Sequence, residues 1–226
     1  MRAEDPVRTG QVVRDGVRTA YEVYGTEGPT LVLLPCWIIA HARSWKAQIA
    51  DLAQDYRLIV VEGRGNGASD RPVEPAAYAA TAYVEDALAV IDALEVGDCA
   101  LLGFSMSAAL AALVAQRRPG QVKAIVMIGP VAPRTAAERA ALEAFFLAEL
   151  PAYEGWAKYN AASFRDDYDG FARFFFERVF VEPHSTKQIE DGVGWAGETT
   201  AQVLTATVLG GLRDDTDLEA VYAAVT

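Results

Sequence analysis

The residues best placed to do chemistry are Gly103-Phe104-Ser105-Met106-Ser107. An apolar run, Cys99 to Gly103, leads directly into an alanine-rich segment starting at Ala108, with a serine at the turn between them. Small residues two before and two after that serine let a strand and a helix pass close together, which is the G-x-S-x-G pattern of a nucleophile elbow. The second glycine is Ser107 here, small enough for the turn but a departure from the full pattern. A serine at the start of a helix meets free N–H groups and the positive end of the helix dipole, both of which favour a developing negative charge. Ser105 therefore reads as a nucleophile for acyl transfer, with the Met106 N–H as one donor to the oxyanion. The plain alternative is a serine that only caps its helix.

A serine hydroxyl must lose a proton as it attacks, so it needs a base. The chain has two histidines, His41 and His184. His41 is the better placed, but a lone histidine more often has a structural role; His184, after Pro183, reads as surface or pocket lining. The two cysteines, Cys36 and Cys99, support neither a disulfide framework nor a zinc site, which takes about four clustered ligands. No metal or cofactor is expected. Arg64-Gly65-Asn66-Gly67 has loop glycines without the G-x-G-x-x-G spacing of a dinucleotide site.

The elements that must position Ser105 are legible as strand-like and helix-like segments in alternation, the pattern of a mostly parallel sheet with helices on both faces. Gln11–Val13 and Thr19–Tyr24 read as a hairpin around Arg14-Asp15-Gly16. Thr30–Leu34, Arg57–Val61, Cys99–Gly103 and Ala124–Ile128 read as further strands, nearly continuous in apolar residues as strands covered on both faces should be. Ser44–Asp55, Thr81–Leu94 and Ala108–Arg117 carry helical periodicity. From Pro133 to Gly211 the pattern turns helical and aromatic-rich, with breaks expected at Pro151, Gly170, Pro183 and Gly192, and Asp214–Ala224 reads as one more helix.

Composition narrows the function classes. The chain has 226 residues, 52% of them hydrophobic and 23% charged, enough for a substantial core. A formal charge of −11 without any basic block argues against nucleic acid and anionic membranes as partners. The N-terminus has no apolar targeting segment, and no run reaches the roughly 18 apolar residues of a membrane span. A cytoplasmic location and a small-molecule substrate are the expectations.

Taken together, Leu31-Val32-Leu33-Leu34-Pro35-Cys36-Trp37, Ser44-Trp45, Arg64-Gly65-Asn66-Gly67-Ala68-Ser69-Asp70-Arg71-Pro72 and the Ser105 elbow resemble the α/β-hydrolase superfamily in order and spacing, most closely its bacterial esterase, C–C hydrolase and non-haem haloperoxidase branch. The resemblance covers about residues 10–130 well. It implies an α/β-hydrolase core over 1–132, a helical cap over 133–211 and the start of a C-terminal core part over 212–226. It makes Trp37 N–H the second oxyanion donor and suggests Cys36, Phe104, Trp156 and Phe175 as substrate contacts. Pro35-Cys36 stands where the family usually has His-Gly, and Glu62-Gly63 where aspartate is common. The resemblance also places the catalytic acid and histidine on later strands, so neither role can be given to a residue of this sequence. The C-terminal strands are expected to be missing, and the apolar sheet edge so exposed to be covered by self-association or by a partner segment. The implied activity is hydrolysis of a carboxylic ester or similar small acyl substrate through an acyl-enzyme, weak in this chain alone. The alternatives are a non-catalytic ligand-binding or regulatory module, one half of a split enzyme, and an acyltransferase or perhydrolase.

Overall fold

The computed structural model describes residues 4–225. Residues 1–3 and Thr226, on which the reading of the chain ends partly rests, lie outside them.

Six strands form one sheet: β1 (Arg8–Arg14), β2 (Val17–Tyr24), β3 (Thr30–Leu33), β4 (Arg57–Glu62), β5 (Cys99–Phe104) and β6 (Val122–Ile128), in the order β1-β2-β4-β3-β5-β6. β1–β2 and β2–β4 pair antiparallel; β4–β3, β3–β5 and β5–β6 pair parallel. The first hairpin closes with Arg14 opposite Val17, and Asp15 and Gly16 both take positive φ (52° and 78°), as a two-residue type I′ turn requires. Its first strand starts at Arg8, earlier than the hydrophobic pattern suggests, because backbone pairing extends through the polar residues Arg8 and Thr9.

The helices are α1 (Lys46–Leu52), α2 (Ala80–Ala93), α3 (Met106–Arg117), α4 (Ala136–Leu147), α5 (Ala161–Asp166), α6 (Tyr168–Val179), α7 (Thr186–Ala196), α8 (Ala201–Arg213) and α9 (Leu218–Ala223). They cover both sheet faces. On one, Val32, Ile59, Val61 and Leu101 pack with Ile91 of α2 and Leu110 and Val114 of α3. On the other, Leu33, Leu58 and Val60 pack with Trp45 and Ile49. Phe146, Phe164, Phe171, Phe176 and Leu204, from α4, α5, α6 and α8, join the first of these cores.

Several sequence expectations are corrected. β6 is not covered on both faces: it is the sheet's outer strand, with Val126 45% and Ile128 52% exposed. Gly170 and Gly192 do not break helices. Gly192 lies inside α7 because a Cβ there would stand 2.5 Å from the Phe176 ring, so the missing side chain lets α7 close onto α6. The expected helix over Ser44–Asp55 is a short 3₁₀ turn, Ala42–Trp45, followed by α1. The last helix begins only at Leu218, because Asp214 is used otherwise: its carboxylate accepts the Ala80 N–H at the start of α2 and the Thr216 N–H (2.8 Å).

A buried ion pair fastens the loop after β4 to α2. Arg64 holds Asp86 with two hydrogen bonds (Nε–Oδ2 2.6 Å, Nη2–Oδ1 2.7 Å), and Arg14 Nε adds a third at 3.0 Å. Both partners of the Arg64–Asp86 pair are almost fully buried, where a charge is tolerated only if paired.

Candidate active site

The site is assembled where β3 and β5 end side by side. Leu33 pairs with Leu102, and the Leu34 N–H continues the ladder to the Leu102 carbonyl at 2.9 Å. The ladder ends there, two residues before Cys36 and three before Ser105.

At Ser105 the chain reverses from strand to helix with φ 54° and ψ −122°. Such a conformation costs a non-glycine residue on the order of 1–3 kcal/mol, so its surroundings must impose it. The Ser105 N–H is held by the Ile128 carbonyl at 2.8 Å. A Cβ on Gly103 would lie 2.3 Å from the Ser107 carbonyl oxygen, so the elbow closes only over a glycine. Ser107, in place of the usual second glycine, is fully buried; its hydroxyl accepts the Phe104 N–H (2.9 Å) and donates to the Phe104 carbonyl (3.0 Å). The departure from the motif thus carries two hydrogen bonds that brace the turn. Ser105 itself makes no side-chain cap to its helix, which sets aside the plain capping reading.

The Cys36 thiol lies in the neighbourhood of Ser105, Trp37 and Met106. The two expected oxyanion donors thus lie near Cys36 and Ser105. Burial pushes the thiol up to about 11, against these three neighbours, which favour its charged form. Trp37 anchors the loop from the other side: its indole N–H donates to Thr207 of α8 (2.8 Å), and its ring lies 5.3 Å from Phe175, 5.7 Å from Tyr159 and 6.4 Å from Phe171.

The structure thus groups Cys36, Trp37, Ser105 and Met106, with Phe175 behind Trp37. It separates two other expected contacts. Phe104 turns its ring edge to Trp45, 5.0 Å away, on the α1 side of the sheet. Trp156 is 60% exposed and rests on Phe174. Tyr159, Phe171 and Thr207, which surround Trp37, have no distinguishing mark in the sequence.

Neither histidine is joined to Ser105 by a hydrogen bond or ion pair among the described residues. His41 is buried with both ring nitrogens engaged: Nδ1 accepts the Arg43 N–H (2.9 Å) and Nε2 meets Glu62 Oε1 at 2.7 Å. Burial would raise the Glu62 carboxyl, but His41, the Ala68 N–H and Arg43 outweigh it and hold it below the usual range. Arg43 also pairs with Glu198, and these four residues border a cavity of about 650 Å³ beside β1 and β2 that does not include Ser105. His184 is exposed in the loop before α7. Among the described residues no group of three His, Cys, Asp or Glu side chains is arranged to hold a metal ion, and no helix is long and apolar enough to cross a membrane.

A family model described as alpha/beta hydrolase fold matches residues 29–180, two-thirds of the chain and both sides of the site. The chain belongs to the alpha/beta hydrolase fold family. Among curated proteins it is similar to epoxide hydrolase 4 of Mus musculus (27% identical, covering 50% of this chain and 32% of that protein) and to 2-hydroxymuconate semialdehyde hydrolase of a Pseudomonas species (28%, 53% and 42%). Among solved structures, a hydrolase from Pseudomonas aeruginosa superposes with a TM-score of 0.71 at 27% identity, over 95% of this chain and 75% of that one. The matched region spans about a third to two-fifths of the curated relatives' length.

Proposed function

We propose that this family member is a serine hydrolase that cleaves a carboxylic ester or similar small acyl substrate. The observation that carries the reading is the elbow: a strained Ser105 at the turn from β5 into α3, closed by the tight approach of Gly103 to Ser107. Ser105 Oγ attacks the substrate carbonyl and its proton passes to a base. The carbonyl oxygen takes the negative charge, held by the two N–H groups; the alcohol leaves, and water cleaves the acyl-enzyme. Losing one such donor typically costs a hundredfold or more in turnover, so the pair accounts for a substantial share of the rate.

Because His41 is engaged with Glu62 and Arg43, the reading assigns base and acid to polypeptide other than residues 1–226, either continuing this chain or on a partner. That segment would also cover β6, whose exposed Val126 and Ile128 leave an unpaired apolar edge. In this reading residues 133–211 act as a cap, its aromatic side chains around Trp37 forming an apolar wall for the acyl group. Intact-mass spectrometry with a fluorophosphonate, run on the protein together with the polypeptide that supplies base and acid, tests the assignment: one adduct, lost in Ser105→Ala, is the expected result, and an adduct that survives in Ser105→Ala, or none on the completed enzyme, refutes it.

A further inference from the structure

The Trp37 side chain is held more firmly than an apolar wall requires. Its indole N–H, which can only donate, gives its proton to the Thr207 hydroxyl of α8 at 2.8 Å. The Thr207 hydroxyl proton is itself committed to the Leu204 carbonyl at 2.7 Å, one turn back on the same helix, so the oxygen presents its lone pairs to the indole. Gly210, one turn further along, is seated where an added Cβ would lie 2.5 Å from the Pro75 carbonyl oxygen, so α8 carries Thr207 on a fixed support.

The backbone around Trp37 is tied at both ends and loose between them. Pro35 lies against Gly63, where an added Cβ would stand 2.7 Å from the proline ring. On the other side, the Ile38 carbonyl accepts Asn66 Nδ2. Among the described residues, neither Cys36 nor Trp37 donates its N–H to a backbone carbonyl. The peptide that joins them is therefore oriented by the Trp37 side chain. Tyr159, Phe171 and Phe175 meet the ring in tilted and edge-on contacts, which hold over a range of angles. The bond to Thr207 is the directional one.

We infer that Thr207 is a positioning residue for the oxyanion loop: by fixing the Trp37 indole, it aims the Trp37 N–H at the carbonyl oxygen of a substrate on Ser105. This rests on the reading of Ser105 as nucleophile and of the Trp37 N–H as oxyanion donor.

An oxyanion donor acts on charge that develops only in the transition state. Misaiming it lowers turnover and leaves substrate affinity nearly as it was. A misplacement of about 1 Å can cost up to a hundredfold, so one side-chain bond behind the loop can matter to the rate. The bond also makes the aim of the donor depend on the seating of α8, so that a single contact sets the helical layer and the oxyanion loop together.

The test has two arms. The first measures p-nitrophenyl acetate hydrolysis by the protein together with the polypeptide that supplies base and acid. Thr207→Val, which keeps the shape and loses the hydroxyl, is expected to lower kcat about tenfold with KM within about twofold of the parent. Trp37→Phe, which keeps the backbone N–H and loses the indole N–H, should lower kcat similarly, and the double variant no further than either, because both remove one and the same bond. Thr207→Ser should return kcat to near the parent value. An unchanged kcat in folded Thr207→Val, or losses that multiply in the double variant, overturns the inference. If Thr207→Val does not fold, an unchanged kcat in Trp37→Phe overturns it equally.

The second arm follows hydrogen exchange of the Trp37 indole N–H by NMR on the full chain labelled at tryptophan, the signal being assigned by its loss in Trp37→Phe. Exchange is expected to be slow in the parent and in Thr207→Ser, and about tenfold faster or more in Thr207→Val. Equal exchange in parent and Thr207→Val overturns the inference whatever Ser105 does. Faster exchange in Thr207→Val, with turnover that survives Ser105→Ala or none in the parent, overturns the nucleophile reading and the catalytic consequence with it, and leaves the indole bond standing.

Discussion

Gly103 and Ser107 stand in backbone contact across the elbow, so close that a single added carbon on Gly103 would lie 2.3 Å from the Ser107 carbonyl oxygen. Gly103→Ala must push strand and helix apart. It is expected to lower stability by about 2 kcal/mol or more in urea denaturation, since the atom it meets is backbone with no flexible end to yield. Ser107→Gly restores the usual motif but removes both bonds to Phe104, and a loss of about 1 kcal/mol is expected.

Asp86 offers a test of the β4–α2 junction. Asp86→Ala leaves Arg64 buried without its carboxylate, and removing one partner of a buried pair costs about 3–5 kcal/mol. The same denaturation series at neutral pH should show a large drop in midpoint. Replacing Arg64 and Asp86 together by apolar residues should recover part of it.

The acid side of the stability curve should report Glu62. Its folded carboxyl lies below its unfolded value, so the stabilisation is complete above about pH 4.3 and is lost as pH falls through the folded value. Thermal melts from pH 7 downward are expected to show Glu62→Gln less stable than the parent at neutral pH, with the two converging on acidification. A gap that persists at pH 3 would mean the carboxylate charge is not what stabilises.

The exposed β6 edge should make the isolated chain associate. Sedimentation velocity is expected to show concentration-dependent dimers or larger species. Val126→Lys, which places a charge on the 45% exposed position, should return the protein to monomer.

Much of this architecture was legible in the residue pattern, and the exceptions have physical reasons. The turn at Asp15-Gly16, the central strands and the elbow follow from local chemistry, because backbone conformation and hydrophobic period are written in neighbouring residues. The exposure of β6 is not local: Val122 to Ile128 reads the same whether or not another layer covers it. Gly192 resembles a helix break until Phe176 of a different helix is seen against it. Phe104 follows the strand alternation that turns Leu102 and Phe104 to the α1 side, a consequence available from period two but masked by its adjacency to Ser105. The pairing of His41 with Glu62 had no signal in sequence, since only the fold brings β4 to the loop that carries His41.

The contacts of the α7–α8 junction have a mechanical consequence. Asn66 donates to the Trp195 carbonyl at 3.1 Å, Thr199 to the Gly65 carbonyl at 2.6 Å, Arg71 twice to the Glu198 carbonyl, and Arg43 binds the Glu198 carboxylate. Together with the Trp37–Thr207 bond they form a spine along which the helical layer is bound to the sheet like pages into a cover. A motion of the helical layer that keeps these bonds would leave the α7–α8 end still, and one that frees α7 or α8 would have to break them.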